Sequence, residues 1–399
     1  MSAAPENGQG LDPLLAGHDV VVFCGAGGVG KTTTAAATAL AAAVRHNKRV
    51  LVLTIDPAKR LANALGLEGF GNVERRVPDD ALRSAGLEPR GELYAAMLDT
   101  KASWDDLVLR HAPNEETAYK ILENRLYDSI TSRFVQSHDY IAMERLYDLH
   151  ASGRFDLIVV DTPPTRNAID FLEAPARMAD FFGGRLLRWL TMPYRVGGRR
   201  GARFVNFASR PFYQLADRVL GSQFLKDIAE FFLNFQTMYD GFVTRARAVE
   251  HLLHQRRTTF VVVTTLETAP LHEARFFCDE LSDRKFDLGA LILNKTLPAF
   301  LLEDEGRTAA DTILRENESI AADLEGIDEH LADTAATSRV LSTAAKTFLD
   351  YRIVAEHEAE LREELARVPE IVVDVPGLQD DVHDVTGLAR VGDRLFATP

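Results

Sequence analysis

Cysteine is nearly absent: the chain has two, Cys24 and Cys278, among 399 residues. Two thiols exclude a disulfide framework and any all-cysteine zinc site within one chain. Basic residues are in deficit, 45 Lys+Arg against 59 Asp+Glu, for a net charge of −14. That balance argues against a protein that coats nucleic acid and against an anionic membrane surface as a general partner. No apolar run approaches the roughly 20 residues a membrane helix needs, so an integral membrane protein is not expected. Met1 to Gly17 is small, polar and Pro/Gly-containing, without the basic-then-apolar order of a signal peptide, and is expected to be a disordered N-terminus. The eleven histidines are scattered, without metal-ligand spacing. These absences leave a cytoplasmic, acidic, globular chain whose 46% hydrophobic residues suffice for a large core.

What is present is an alternation of short β-branched runs and helix-length segments, the α/β signature. Asp19–Cys24, Arg49–Ile55, Phe155–Asp161, Thr258–Thr265, Phe286–Asn294 and Glu370–Val375 are nearly continuous in Val, Ile and Leu, as strands covered on both faces are. Glu92–Leu98 is a further candidate strand. The expected fold is a doubly wound, mostly parallel sheet, with residues 18–399 forming one domain. Helical inserts interrupt it at about 100–153 and about 167–257. The second insert is rich in large apolar residues, with Phe181, Phe182, Trp189, Phe204, Phe207, Phe212, Phe224, Phe231, Phe232, Phe235 and Met238. Within it, Arg195–Arg203 breaks the helical pattern and reads as a mobile loop. A long charged helix is expected from after Leu341 to about Arg367, ahead of a last strand and helix.

The most specific pattern is Gly25-Ala26-Gly27-Gly28-Val29-Gly30-Lys31-Thr32, which fits GxxxxGK[ST] and precedes an alanine-rich helix, Thr33–Arg45. Such glycines let backbone N–H groups wrap around phosphates, and the helix N-terminus adds its dipole. Lys31 would contact the β- and γ-phosphates and the Thr32 hydroxyl would ligate Mg²⁺. A nucleoside triphosphate is therefore expected on Gly25 through Thr33. The second strand leads into Thr54-Ile-Asp56-Pro-Ala58, and the third ends in Asp161-Thr-Pro-Pro-Thr165. Both put a carboxylate at the C-terminal edge of the sheet, where ligands of doubly wound folds sit. Asp161 would share Mg²⁺ with Thr32 in the Walker B role. Asp56 would orient or deprotonate the attacking water. The alternative for either aspartate is an N-cap opening the next helix.

GxGGVGKTT, then a strand ending in DPA, then DTPPT, together resemble the ArsA-like ATPases of the deviant Walker A class. That group includes arsenite-pump ATPases and the targeting ATPase for tail-anchored membrane proteins. The resemblance runs from about Val20 to Phe396 and is nearest to actinobacterial paired ArsA-like proteins. It implies a catalytic Asp56 in switch I, a catalytic Lys31, switch II at Asp161–Thr165, adenine reading by Asn294, and a dimer driven by ATP. Independently, Asn294-Lys-Thr-Leu297 lacks the aspartate of the guanine-reading [NT]KxD pattern, which favours ATP over GTP.

One position departs from the resemblance. The family's second loop residue is a lysine that reaches the partner's nucleotide, and here it is Ala26. A charge of that kind, like an arginine finger, is worth about 10³–10⁵ in rate. The expectation is a dimer, either an asymmetric heterodimer with a lysine-bearing ArsA-like paralogue or one in which Lys59, Arg60 or Arg166 substitutes. The second insert corresponds to the family's client-binding helical subdomain. Its Phe231, Phe232 and Phe235 either pack as the subdomain's own core, the favoured reading, or line a groove for an apolar client helix. Neither cysteine has a partner near it in sequence, so no zinc clasp or metalloid site is supported. The functional expectation is a Mg²⁺-dependent ATP-hydrolysing switch protein. A non-hydrolysing ATP-binding subunit and an arsenite efflux subunit stand as alternatives.

Overall fold

The β-branched runs assemble into one sheet in the computed structural model, which describes residues 10–55, 60–67, 71–124, 126–128, 131, 135–163, 173–174, 177, 227, 230–235, 237–325, 327, 331, 333–365, 369, 371–378 and 380–396. Helix α1 (Asp12–Gly17) precedes β1 (Val20–Cys24), α2 (Lys31–Arg45), β2 (Arg49–Thr54), α3 (Arg60–Ala64), β3 (Arg75–Arg76), α4 (Asp79–Ser84) and β4 (Glu92–Met97). Helices α5 (Thr100–His111), α6 (Glu115–Leu122) and α7 (Val135–Ala151) occupy the first insert and lead to β5 (Leu157–Asp161). Beyond the second insert's described helix, α8 (Tyr239–Leu253), come β6 (Thr258–Thr264), α9 (Thr268–Asp283) and β7 (Leu288–Thr296). The chain closes with α10 (Asp304–Leu324), α11 (Thr334–Leu365), β8 (Ile371–Pro376) and α12 (Val385–Leu395).

The strand order is β3-β4-β2-β5-β1-β6-β7-β8. Every pairing is parallel except the antiparallel β3–β4. Strands β1, β5 and β6 are buried at every residue, which is why their sequences do not alternate. Successive side chains still point to opposite faces. Val20, Val22, Leu51, Leu53, Ile158 and Val160 pack with α5, α7, α8 and α9, while Val21, Phe23, Val50, Val52 and Val159 pack with α1, α2 and α12. The result is three layers with a core on each side of the sheet. Alanines 35–37, 39 and 41–43 of α2 are all buried, so that helix lies close against the sheet at little side-chain entropy cost.

Several expectations need correction. Residues 10–17 are ordered: Leu11, Leu14 and Leu15 are buried, and the Leu11 N–H donates to the Leu395 carbonyl at 3.0 Å. The leucines at i, i+3 and i+4 are a helical face that the polar average of the segment concealed; residues 1–9 lie outside the described set. Helix α11 begins at Thr334, about two turns before the expected start, and its early turns bond to α10, where the Ser338 hydroxyl donates to Asn317 Oδ1 at 2.6 Å. The two-residue strand β3 carries no apolar pattern that would mark it in the sequence, both Arg75 and Arg76 being exposed.

Of the second insert's aromatic residues, Phe231 and Phe235 are buried and Phe232 packs against the same core. Phe231 stacks on Phe235 at 5.4 Å and Phe235 on Phe242 at 5.0 Å, and Phe242 faces Trp104 of the first insert at 6.1 Å. These side chains are therefore core, shared between the two inserts. Phe181, Phe182, Trp189, Phe204, Phe207, Phe212, Phe224 and the Arg195–Arg203 loop lie outside the described residues. Beside that aromatic cluster, buried Glu144 of α7 meets Arg245 Nε of α8 at 3.1 Å and accepts the Tyr140 hydroxyl. Burial raises the Glu144 carboxyl above its ordinary value against the pull of Arg245. Among the described residues no helix is long and apolar enough to cross a membrane.

Candidate functional site

Strand β1 is central, between β5 and β6, and the chain leaves its C-terminal end at Gly25. Gly25 has φ +147°, and a Cβ there would lie 2.1 Å from the Val263 carbonyl oxygen of β6. Gly30 closes the loop at φ +97° as the residue before α2, and a Cβ there would lie 2.2 Å from Asn294 Nδ2. Both positions therefore require glycine. Turns of this kind direct successive N–H groups to one side, and the first N–H groups of α2 have no partner within the helix. Together they make a cradle for anionic oxygens.

Lys31 is buried, and its Nζ donates to the Gly25 and Ala26 carbonyls, both at 2.8 Å. The ammonium is thereby held across the loop it would serve. One residue on, Thr32 Oγ1 donates to Asp161 Oδ2 at 2.7 Å. The sheet register explains the meeting: Asp161 is the last residue of β5, opposite Phe23 of β1 and Thr54 of β2. Thr54 Oγ1 also donates to Asp161 Oδ2, at 2.9 Å. The Thr162 hydroxyl fastens the next residue to the Phe23 carbonyl at 2.8 Å. Asp161 is fully buried at the mouth of the loop.

Across the loop, Asn294 Nδ2 donates to the Val29 carbonyl at 2.7 Å, and Lys295 Nζ to the Gly28 carbonyl at 3.1 Å. Gly25 through Thr33, Asp161 and Asn294 thus gather at the C-terminal edge of four adjacent strands, β5, β1, β6 and β7. Ala26 is half-buried and packs against the core beneath it. Asp56, Lys59 and Arg166 lie outside the described residues, as does the side chain of Arg60. Two partners escaped the sequence reading. Thr54 was signalled only by being the single hydroxyl closing an apolar strand, and Lys295 only by adjacency to Asn294.

The oxygen donors fit a hard cation. Thr32 Oγ1 and Asp161 Oδ2 are an alcohol and a carboxylate at hydrogen-bond distance beside a phosphate cradle, and Mg²⁺ characteristically takes one or two protein oxygens with phosphates and water completing its shell. The cysteines do not fit a soft one. Both thiols are buried, and burial pushes Cys24 and Cys278 up to about 12, so they stay protonated and poor ligands at neutral pH.

A parallel sheet covered by helices on both faces, with a glycine loop between its central strand and a helix and an aspartate at the adjacent strand end, defines a P-loop nucleoside triphosphatase. The family model described as anion-transporting ATPase (ArsA ATPase) matches residues 18–337. The chain belongs to that family. It is 23% identical to the ATPase ASNA1 homolog of Entamoeba dispar over 310 residues, 75% of this chain and 82% of that one. It is 24% identical to ATPase GET3 of Eremothecium gossypii over 294 residues, 70% of this chain and 72% of the other. The arsenical pump-driving ATPase of Acidiphilium multivorum shares 26% identity over 327 residues, 82% of this chain but 46% of that protein.

Proposed function

We propose that the chain hydrolyses ATP with Mg²⁺ and works as a dimeric switch, coupling its nucleotide state to the binding of a partner or client. One observation carries this reading: Thr32 and Thr54 converge on the buried carboxylate of Asp161 at the open end of the glycine loop. A glycine turn kept for structural reasons has no use for that arrangement.

In the proposed reaction, a water oxygen forms a bond to the γ-phosphorus and the bond from phosphorus to the β–γ bridging oxygen breaks, leaving ADP and inorganic phosphate. Backbone N–H groups of the loop and α2 bind the β- and γ-oxygens. Lys31 exchanges its carbonyl contacts for phosphate oxygens and balances their charge. Thr32 and Asp161 would hold Mg²⁺, which when bound would supply Lewis-acid stabilisation of the phosphate charge. Asp56 orients the water and accepts its proton. Asn294 retains a second amide hydrogen and its carbonyl oxygen, the pair that adenine's edge requires.

The partner proposed is a lysine-bearing ArsA-like paralogue in an asymmetric dimer, because Ala26 offers no cation to a neighbouring site. The resemblance of the loop and switch motifs to the ATPases that target tail-anchored membrane proteins motivates an apolar or membrane-protein client. A second reading, an ATP-binding subunit without turnover, is favoured by Ala26 alone. The arsenite efflux reading is disfavoured by the protonated, buried thiols.

Steady-state ATP hydrolysis by the purified chain, against Lys31→Ala as background, tests the proposal. Turnover at least tenfold above Lys31→Ala, alone or after adding a lysine-bearing paralogue, is expected. Bound nucleotide with turnover equal to that background under both conditions would establish the non-hydrolysing reading instead.

A further inference from the structure

Strand β7 ends in a local irregularity. Its pairing with β8 runs in register to Asn294↔Val375, then resumes at Thr296↔Pro376, with the shift between them. Lys295 is the residue skipped, and its backbone lies in the left-handed region at φ +61°. Non-glycine residues reach that region only when their surroundings hold them there. In a regular strand Asn294 and Lys295 would point to opposite faces. A bulge inserts a residue and re-aims a side chain. Here both side chains reach the glycine loop, Asn294 at the Val29 carbonyl and Lys295 at the Gly28 carbonyl.

Those carbonyls belong to consecutive peptide units. In a planar trans peptide the C=O and the following N–H point in opposite directions. Holding the Gly28 carbonyl toward β7 therefore turns the Val29 N–H away from β7. Holding the Val29 carbonyl does the same for the Gly30 N–H. Gly28 at φ +80° and Gly30 at φ +97° have shallow conformational preferences of their own, so the loop needs an external anchor to keep this arrangement.

We propose that Lys295 is a positioning residue of the nucleotide site: with Asn294 it staples two successive peptide units of the phosphate loop and presents their N–H groups to phosphate oxygens. This rests on the nucleotide-binding reading above and adds a residue to it. The staple acts on the phosphate cradle, so its effect is the same for any base.

The test is fluorescence titration with mant-ADP, with ATP, GTP and inorganic pyrophosphate as competitors. Loss of one charge-assisted hydrogen bond predicts about tenfold weaker mant-ADP binding by Lys295→Met, with all three competitors weakened by the same factor. Lys295→Arg, which still donates to the carbonyl, should recover affinity to within about threefold of wild type. Lys295→Gly should bind as weakly as Lys295→Met yet melt at or above the wild-type temperature, because glycine accepts the left-handed backbone. Opposite movements of stability and affinity would not arise from a merely structural residue. Wild-type affinity in Lys295→Met overturns the proposal, and so does a loss confined to ATP with GTP and pyrophosphate unchanged. A wild-type chain that binds mant-ADP no better than Lys31→Ala sinks the nucleotide-site reading itself.

Discussion

At the scale of single residues, the site depends on where a side chain is missing as much as on where one is present. Gly30 illustrates this. A methyl group there meets Asn294 Nδ2 at 2.2 Å in a backbone conformation that L-residues avoid. Gly30→Ala is expected to destabilise the fold by about 1–2 kcal/mol from the backbone alone. It should also displace Asn294 and abolish mant-ADP binding, whereas Gly28→Ala, facing open space, should retain measurable affinity. Titration and thermal melts of the two variants decide it; equal affinities would mean that Asn294 does not shape the loop. Lys31 shows the converse. A buried ammonium is tolerated because two carbonyls accept from it, and both lie in the loop it is meant to serve.

At the scale of elements, α1 shows how a short helix is secured without a side-chain cap. Leu11, Leu14 and Leu15 bury one face, and polar contacts hold the ends: His46 Nε2 meets Asp12 Oδ1 at 2.7 Å and His18 Nε2 meets Asp287 Oδ2 at 3.3 Å. The hydrogen bond to Asp287 raises His18 above its ordinary 6.5, and the same bond lowers Asp287 below its ordinary 3.8. For a raised histidine, the added stability is fully present below about pH 6.5 and is lost as pH rises through the higher folded-state value. On the acid side it is lost only as Asp287 protonates. The melting temperature of wild type should therefore exceed that of His18→Gln most near pH 5, with the gap shrinking from pH 6.5 to 8. A gap that does not vary with pH would show that packing, not charge, secures α1. The same scale holds the aromatic contact between inserts, where Trp104 and Tyr140 meet Phe242, which stacks in turn on Phe235, so that side chains more than a hundred residues apart in sequence pack together.

At the scale of the whole molecule, the sheet brings the C-terminal ends of β5, β1, β6 and β7 to one edge, and the N–H of buried Leu11 ahead of α1 donates to the Leu395 carbonyl at the end of α12. The proposed nucleotide site lies at the first of these places. A ligand at that edge touches segments from Gly25 to Asn294 and should stabilise the fold as a unit. ATP with Mg²⁺ at a hundredfold excess over its dissociation constant should add about 2.7 kcal/mol to the unfolding free energy. If Thr32 and Asp161 hold the metal, EDTA should remove most of the corresponding rise in melting temperature. An equal rise with and without EDTA would separate nucleotide binding from the metal.

The loop motif, the strands and the class of chemistry were legible in sequence because each is local. GxxxxGK[ST] needs eight contiguous residues, and buried parallel strands reveal themselves by unbroken Val, Ile and Leu. Asp161 was legible for the same reason, as the polar end of an apolar run. The N-terminal helix was hidden because three leucines carry its signal within a polar stretch, and β3 because it has no pattern to read. Thr54 and Lys295 became part of the site only through tertiary structure. Thr54 reaches Asp161 because β2 lies next to β5, and Lys295 reaches Gly28 because a bulge turns it off the sheet face. Both contacts join residues more than a hundred apart in sequence, and no local pattern of residues encodes them.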